Sequence, residues 1–396
     1  MSVVVNILQK NKKTKKIGLN FLKSFTKEEG LYYGVPNNAY VIDEYKGQED
    51  LRTTLFILYD QNIYGRGFSF LVKDNYDIEL VLNYPSTKRD IEIFYKFIKN
   101  FCKNFKLDHF LQEDEEYSID KIEELKEESI MFNQNIMKKM LKPNLTIFGC
   151  IYPIVLEEEF IKTLEKAQDD KVQNLFEEYL NMKQTIDCYF AKPLIYENKN
   201  DDKYLAKYVL TKDVPSIFPT NTYLPFGYNQ NLKDNIRSWS VSLVDYKNDK
   251  YQVIKDISYD SFCKIIDISK YKKFDEKHII ITFDNNILSL INKDEINKAK
   301  KKMEEWLLHP NELGKKPSKL EYTNSFIDEF EDTCYIFKFK KNTLSKWTLG
   351  IVSESGTFSN MQKYSKRTEI KDAKEMLEVI KNYWKEQAKN IKINKD

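Results

Sequence analysis

The sequence predicts an α+β fold, with mostly antiparallel sheets covered by helices and a small α+β domain at the C-terminus. Segments of strand type occur in clusters and do not alternate regularly with helices, which disfavours a doubly wound sheet. Residues 86–102 (STKRDIEIFYKFIKNFC) repeat their apolar side chains at helical spacing. The apolar face of that helix must pack on another layer, and the strands that precede it supply one.

The first elements lie before residue 103. Strands are predicted at 3–8, 53–60 and 77–85, from β-branched and aromatic runs. Thr87 and Asp90 fit a capping box at the start of the helix that follows, with Asp in place of the usual Glu. The predicted apolar face of that helix consists of Ile91, Phe94, Tyr95, Ile98, Phe101 and Cys102.

The middle of the chain begins with an acidic segment, 108–128, whose residues 113–116 (EDEE) are predicted to form a solvated turn. A helix is predicted from residue 118, with acids early and lysines late. A single strand at 145–155 and two helices follow. Further strands are predicted at 185–197, 203–211, 237–247, 251–257 and 278–283, and further helices at 260–268 and 286–308.

Residues 214–227 (VPSIFPTNTYLPFG) concentrate three prolines, Pro215, Pro219 and Pro225. Proline lacks the backbone donor that a ladder needs, so this stretch is predicted to be neither an interior strand nor a helix. Its other side chains are too apolar for a solvated loop. We expect a rigid loop that covers a sheet, or that forms one wall of a binding groove. The side chains proposed for such a wall are Phe218, Tyr223 and Phe226.

Hydrophobic periodicity stops at 309–319, where prolines and a glycine appear, and this segment is predicted to be a linker. It would separate a main α+β domain, 1–308, from a small C-terminal domain, 320–396. A division of the main domain into two subdomains, 1–142 and 143–308, is compatible with the sequence. The C-terminal domain reads as a strand meander closed by a helix at 370–388.

Composition restricts the function. Charged residues make up 31% of the 396, yet the net charge is only +2, which argues against a protein that mainly grips nucleic acid or an anionic membrane. The N-terminus places apolar residues before its lysines, the reverse of a signal peptide. The five scattered cysteines fit a reducing compartment, so a cytoplasmic location is predicted. They are Cys102, Cys150, Cys188, Cys263 and Cys334.

No linear motif identifies a reaction. The nucleophile elbow, the zinc helix and the dinucleotide-binding turn are all missing from the sequence. The three histidines, His109, His278 and His309, lie in unrelated contexts, so no metal site and no cofactor are predicted. His278 is predicted to begin a strand. Asp284, after a strand, is interpreted as a helix N-cap and not as a catalytic carboxylate.

Four segments together resemble a bacterial family classified as domain-of-unknown-function family 4299. They are residues 80–103, 145–156, 176–197 and 208–227, in that order. The resemblance covers about 1–308 and leaves the C-terminal module outside. It implies a bacterial origin and brings no catalytic residues to transfer.

Three functions stay open. The first is a non-catalytic protein-interaction protein, of the immunity type for example, suggested by unlike charge in the lysine-rich N-terminus and in 108–128. The second is an enzyme, such as a hydrolase, whose carboxylate or tyrosine site leaves no linear motif. A cleft lined by converging acids with shifted pKa values would favour it. Nucleic-acid binding is the third and least supported. The oligomeric state is not predicted.

Overall fold

The computed structural model describes residues 1–9, 17–198, 203–307, 319–327, 333–340, 347–353 and 358–364. Helices and predominantly antiparallel sheets make up this part of the chain, which confirms the α+β class. The α-helices described are α1 (Leu19–Glu29), α2 (Lys88–Phe105), α3 (Ile122–Lys139), α4 (Glu158–Lys166), α5 (Asp169–Gln184), α6 (Tyr259–Ile266) and α7 (Asn285–Leu307).

The strands are numbered in chain order through the described residues. Those of the first half are β1 (Ser2–Ile7), β2 (Leu31–Pro36), β3 (Ile42–Asp43), β4 (Leu55–Asp60), β5 (Phe68–Val72), β6 (Ile78–Asn83), β7 (His109–Gln112), β8 (Glu115–Ser118), β9 (Thr146–Phe148), β10 (Pro153–Val155) and β11 (Tyr189–Phe190). Those of the second half are β12 (Leu194–Asn198), β13 (Lys203–Thr211), β14 (Pro215–Pro219), β15 (Ile236–Lys247), β16 (Lys250–Ser258), β17 (Lys272–Lys273), β18 (His278–Thr282), β19 (Lys319–Ile327), β20 (Thr333–Lys340), β21 (Trp347–Ser353) and β22 (Phe358–Tyr364).

The chain divides into two compact units, each made of segments that are separate in sequence. Unit 1 contains Met1–Leu194, Val214–Ile236 and Ser269–Thr282, and unit 2 contains Ile195–Asp213, Arg237–Ile268 and the chain from Phe283 onward. The predicted linker 309–319 lies outside the described residues except for Lys319, and the predicted helix 370–388 lies outside them entirely. The boundary between a main and a C-terminal domain therefore stays a prediction.

An eight-stranded sheet forms the centre of unit 1, in the order β3-β2-β4-β5-β6-β1-β7-β8. All of its neighbouring strands are antiparallel. Side chains alternate across a strand, and one set is buried, as Phe56 and Leu58 are on β4 and Phe68 and Phe70 are on β5. This buried set forms the core on which the helices pack.

Helix α2 begins with the predicted capping box. The Thr87 side chain accepts from the Asp90 backbone N–H at 2.9 Å, and the Asp90 carboxylate accepts from the Thr87 N–H at 3.2 Å. All six residues of the predicted apolar face are buried. Ring contacts such as Phe68 to Phe97, at 5.3 Å between centroids, join the helix to the sheet. The sequence-based interpretation of this helix is confirmed.

Helix α1 and strand β2 were not predicted from the sequence. The N-cap position of α1 is Gly18, and no side chain caps this helix, so a starting signal is missing. Its place is set by tertiary packing, because the Phe25 ring lies 5.1 Å from Phe97 and 5.7 Å from Phe101 on α2. Five of the seven lysines that precede the first acid in the sequence lie in 10–16, outside the described residues.

The prediction that 214–227 contains no interior strand is wrong. Strand β14 lies inside a four-stranded sheet of order β11-β14-β18-β17, parallel to β11 and antiparallel to β18. Its two prolines, Pro215 and Pro219, are its first and last residues. The missing donors therefore fall at the strand ends, where they interrupt the ladder least.

The segment 145–155 forms a hairpin, β9 and β10, where one strand was predicted. The side chain of Gln184 supports its turn: Oε1 accepts from the N–H groups of Ile151 at 2.7 Å and Tyr152 at 2.8 Å, and Nε2 donates to the Tyr152 carbonyl. A glutamine 32 or more positions away gives no local signal for a turn. The acidic turn prediction is confirmed for Glu113 and Asp114, which connect β7 to β8 with positive φ, whereas Glu115 and Glu116 belong to β8.

Among its described residues, unit 2 contains two four-stranded sheets, β12-β13-β15-β16 and β19-β20-β21-β22, and β15 pairs with β16 in antiparallel fashion. Strands β20, β21 and β22 of the second sheet correspond to the strand meander predicted near the C-terminus, and β19 is a strand that was not predicted. Helix α7 starts as predicted, because Oδ1 of Asp284 accepts from the Ile287 N–H at 2.9 Å. An ion pair between Lys255 on β16 and Glu295 on α7 joins sheet and helix, and Lys255 also donates to Ser325 on β19 at 2.9 Å.

Candidate functional site

The three side chains proposed as a groove wall have three different environments. Phe218 lies within β14 and has no exposed surface. The Tyr223 hydroxyl lies 2.7 Å from Nε2 of His278, the first residue of β18. Phe226 is 69% exposed. Only Phe226 therefore presents most of its ring to an incoming molecule.

The contact of Tyr223 belongs to a buried hydrogen-bonded chain. Nδ1 of His278 lies 2.8 Å from Oδ1 of Asp275, and the other oxygen of Asp275 accepts from the Val155 N–H at 2.9 Å. Asp275 and His278 are 0% and 2% exposed. These hydrogen bonds hold the loop after β14 against strands β10 and β18, so the role of Tyr223, His278 and Asp275 is to stabilise the fold.

Phe226 packs on two aromatic rings from distant parts of unit 1. Tyr40 and Phe148 stack at 4.3 Å between ring centroids, and Phe226 lies 5.6 Å from each of them. We call these three residues the aromatic cluster. Gly227 permits the approach, because a Cβ there would lie 2.0 Å from the Asn38 carbonyl oxygen. A larger residue would push the loop, and Phe226 with it, away from Tyr40.

A cleft of about 120 Å³ lies beside this cluster. Tyr40 and Phe148 line it together with side chains of the eight-stranded sheet, among them Leu55 and Ile57 of β4. The cleft is mainly apolar, and the one charged residue among those that line it is Arg66, so we call it the Arg66 cleft. A mainly apolar lining with a few polar groups is typical of ligand sites, although this cleft is smaller than a site for a whole small molecule and has room only for a small group.

Arg66 is only 9% exposed. Its Nε donates to the Phe148 carbonyl at 3.0 Å, and its Nη1 donates to the carbonyls of Asn83 at 3.1 Å and Pro85 at 2.7 Å. Burial lowers the pKa of Arg66 to about 10, and the nearby Asp90 opposes this shift. The side chain therefore stays a cation at neutral pH in a largely apolar setting.

Asp90 is the nearest carboxylate that acts on Arg66, and its oxygens are already engaged. It accepts hydrogen bonds from the backbone N–H groups of Arg66 and Gly67, both at 2.9 Å, and from the hydroxyl of Ser86 at 3.1 Å, besides the Thr87 N–H. In the part of the chain that the structure describes, no carboxylate oxygen lies within 4.0 Å of the Arg66 guanidinium.

A second, polar cleft of about 350 Å³ lies at the N-terminal end of α2. Asp60, at the end of β4, is 2% exposed and binds Nε of Arg89 at 2.6 Å. The backbone N–H of the same Arg89 donates to Oε2 of Glu177 on α5 at 3.0 Å. Lys88 and Glu92 also line this cleft, which we call the Asp60 cleft.

The environments of Asp60 and Glu177, two of the carboxylates that line this cleft, shift their pKa values in opposite directions. Burial raises the pKa of Glu177, and the charges of Asp90 and Glu92 add to the effect. Burial alone would also raise the pKa of Asp60, but hydrogen bonds from the Asn62 N–H and the Arg89 side chain lower it overall. One carboxylate is thus held ionised, while its neighbour takes up a proton more readily than an ordinary glutamate.

Sequence reasoning missed Arg66, Asp60 and Glu177. A weak local signal exists for Arg66, since it stands between two glycines, Gly65 and Gly67, and the second has a φ of +66°. His309 lies outside the described residues, and His109 is half-exposed beside Asp108, at 3.0 Å. No group of three or more metal-binding side chains occurs among the described residues. None of the described helices combines the length and apolar character that crossing a membrane requires.

Comparison with known proteins identifies the family. The family model described as "Domain of unknown function (DUF4299)" matches residues 2–290. Because this match covers well over half of the 396 residues, the chain belongs to that family, and the resemblance seen in the sequence is confirmed. No curated protein and no solved structure matches the chain.

Proposed function

We propose that this member of the DUF4299 family is a non-catalytic protein-binding protein that engages its partner through the aromatic cluster and the Arg66 cleft. The observation that carries this proposal is the exposed ring of Phe226 on Tyr40 and Phe148, at the edge of a mainly apolar cleft. Rigid aromatic anchors next to a pocket are typical of the residues that dominate binding energy in protein interfaces.

The loop that carries Phe226 supports binding at low entropic cost. Tyr223 is fixed to His278, and Pro225 restricts the backbone directly before Phe226. A side chain held in place before binding loses little freedom on association. The scattered free cysteines support a cytoplasmic setting for this interaction, and the family resemblance supports a bacterial one.

The experiment is site-specific photocrosslinking in the native host, with a benzophenone amino acid at position 226. We expect one discrete adduct with a second protein, because the exposed ring contacts the partner directly. Position 251 is the matched control, since Tyr251 is an equally exposed aromatic (71%) of unit 2. The proposal fails if position 226 gives no adduct, or the same adducts as position 251.

A further prediction concerns affinity. Phe226→Ala is expected to weaken binding of the captured partner about 30-fold, the effect of losing an interface hot spot of about 2 kcal/mol. Tyr251→Ala should leave the affinity unchanged, and titration calorimetry measures both. In the immunity-type form of this proposal, the partner is a toxin that the wild-type chain neutralises and that the Phe226 variant neutralises poorly.

The second candidate function is acid–base catalysis in the Asp60 cleft, favoured by the opposite pKa shifts of Asp60 and Glu177. Glu177 would act as the general acid and Asp60 as the ionised partner, as in a hydrolase. Activity would then fall as pH rises through the raised pKa of Glu177, because the acid loses its proton. It would also fall at low pH, where Asp60 is protonated.

A panel of chromogenic glycosides and esters tests this candidate. For any substrate that is hydrolysed, Glu177→Gln is expected to reduce kcat about 10²- to 10⁴-fold, the usual contribution of a general acid. Glu178→Gln is the matched control, because Glu178 is the exposed neighbour on the same helix. Hydrolysis that is equal in both variants, or absent from the wild type, contradicts the candidate.

A further inference from the structure

The guanidinium of Arg66 has more hydrogen-bond donors than the surrounding carbonyls use. An arginine side chain carries five N–H groups, one on Nε and two on each terminal nitrogen. Three of them donate to the carbonyls of Phe148, Asn83 and Pro85. No described residue accepts a hydrogen bond from Nη2. This atom nevertheless keeps some accessible surface, since it is not a fully buried atom without a partner. Nη2 is therefore the guanidinium nitrogen that remains for an incoming acceptor, and it belongs to a residue that lines the cleft.

The charge of Arg66 is also unbalanced within the cleft. None of the described residues that line it is acidic, and the one formal charge among them is positive. Asp90 makes no direct contact with the guanidinium, because its two oxygens accept from four other groups, the Arg66 backbone N–H among them. A buried cation without an ion-pair partner is unfavourable, and an incoming anion would offset this cost.

We propose that the Arg66 cleft binds the C-terminal carboxylate of a partner polypeptide whose last residue is apolar. The inference rests on the proposed function, since it takes a polypeptide as the occupant. A C-terminal residue presents a carboxylate and an apolar side chain on the same carbon. That pairing matches one cation among the apolar side chains of Leu55, Ile57 and Phe148. An internal Asp or Glu has polypeptide on both sides, and a cleft of about 120 Å³ has little room for both.

Calorimetric titration of the full-length chain tests the proposal with three short peptides. They are acetyl-Gly-Gly-Leu with a free carboxylate, the same peptide as its C-terminal amide, and acetyl-Gly-Gly-Glu-amide. We expect the first to bind at least tenfold more tightly than the other two, because only it places a carboxylate beside an apolar side chain. Equal binding of acid and amide overturns the proposal, and so does preference for the Glu peptide.

Variants at the mouth of the cleft avoid removing Arg66 itself, which has a structural role. Leu55 lines the cleft and is 40% exposed, so it tolerates a charged side chain. Leu55→Glu should weaken binding of the free-acid peptide several-fold by repulsion, whereas Leu55→Lys should leave it equal or stronger. Identical behaviour of the two variants overturns the proposal.

The two proposals fail separately. A crosslink at position 226 without selective peptide binding would preserve the protein-binding function and remove the C-terminal carboxylate as its ligand. Selective peptide binding without a crosslink at 226 would preserve the carboxylate site and remove Phe226 from the interface.

Discussion

Replacing Asp90 with alanine is expected to lower the free energy of unfolding by about 3–5 kcal/mol, the usual cost of removing one partner from a buried charged network. Asp90 is fully buried and accepts hydrogen bonds from Arg66, Gly67, Ser86 and Thr87. Alanine leaves these donors unsatisfied, opens the capping box of α2 and removes the counter-charge nearest to the buried guanidinium. Urea unfolding at neutral pH measures the loss.

Two variants show whether the network causes this effect. Asp120→Ala removes an exposed aspartate that precedes α3, and it should change stability by only about 0.5 kcal/mol. Asp90→Asn keeps one acceptor oxygen and should fall between the two alanine variants. A loss below about 1 kcal/mol in Asp90→Ala would mean that the network contributes little.

Gly67→Ala is the second substitution with a large expected effect, about 3 kcal/mol of lost stability from backbone strain and overpacking combined. Gly67 has a φ of +66°, and a Cβ there would lie 2.3 Å from the Leu58 carbonyl oxygen. This obstacle is backbone in the middle of the large sheet, so it cannot move aside. The shift would also disturb the hydrogen bond from Gly67 to Asp90.

Gly30→Ala is the matched control for backbone strain. Gly30 ends α1 with a similar φ of +71°, but the nearest atom to its Cβ would be the flexible Gln61 side-chain nitrogen at 3.5 Å. We expect a loss of about 1 kcal/mol there, from the left-handed conformation alone. Equal losses in the two variants would show that strain, and not the contact with Leu58, accounts for the effect at Gly67.

Much of the fold was predictable wherever neighbouring residues carry the signal. The capping box of Thr87 and Asp90 and the apolar face of α2 depend on positions three or four apart, and both are confirmed. The N-cap at Asp284 is equally local. Helix α1 was not predicted because its N-terminus at Gly18 lacks a side-chain cap. Its position is set instead by contacts with aromatic rings of α2, such as that of Phe25 with Phe97.

The candidate site was much less predictable. Phe226 was selected from the sequence as an aromatic side chain of a rigid loop, but its partners, Tyr40 and Phe148, come from distant segments of the chain. Phe218 was selected with it, yet strand pairing places it in the core. Arg66 carries the only formal charge among the residues that line its cleft, and nothing beside it in the sequence shows that carbonyls of other segments receive its hydrogen bonds.

By itself, the amino-acid order determined the α+β class, the family, the caps of individual helices and the acidic turn at Glu113 and Asp114. Tertiary structure decided that two prolines lie at the ends of an interior strand and that Asp90 accepts four hydrogen bonds. It also decided that the cation Arg66 lines a mainly apolar cleft. The physical reason is range. Caps and periodic faces act between near neighbours, whereas burial brings together polar groups whose separation along the chain bears no relation to their contact.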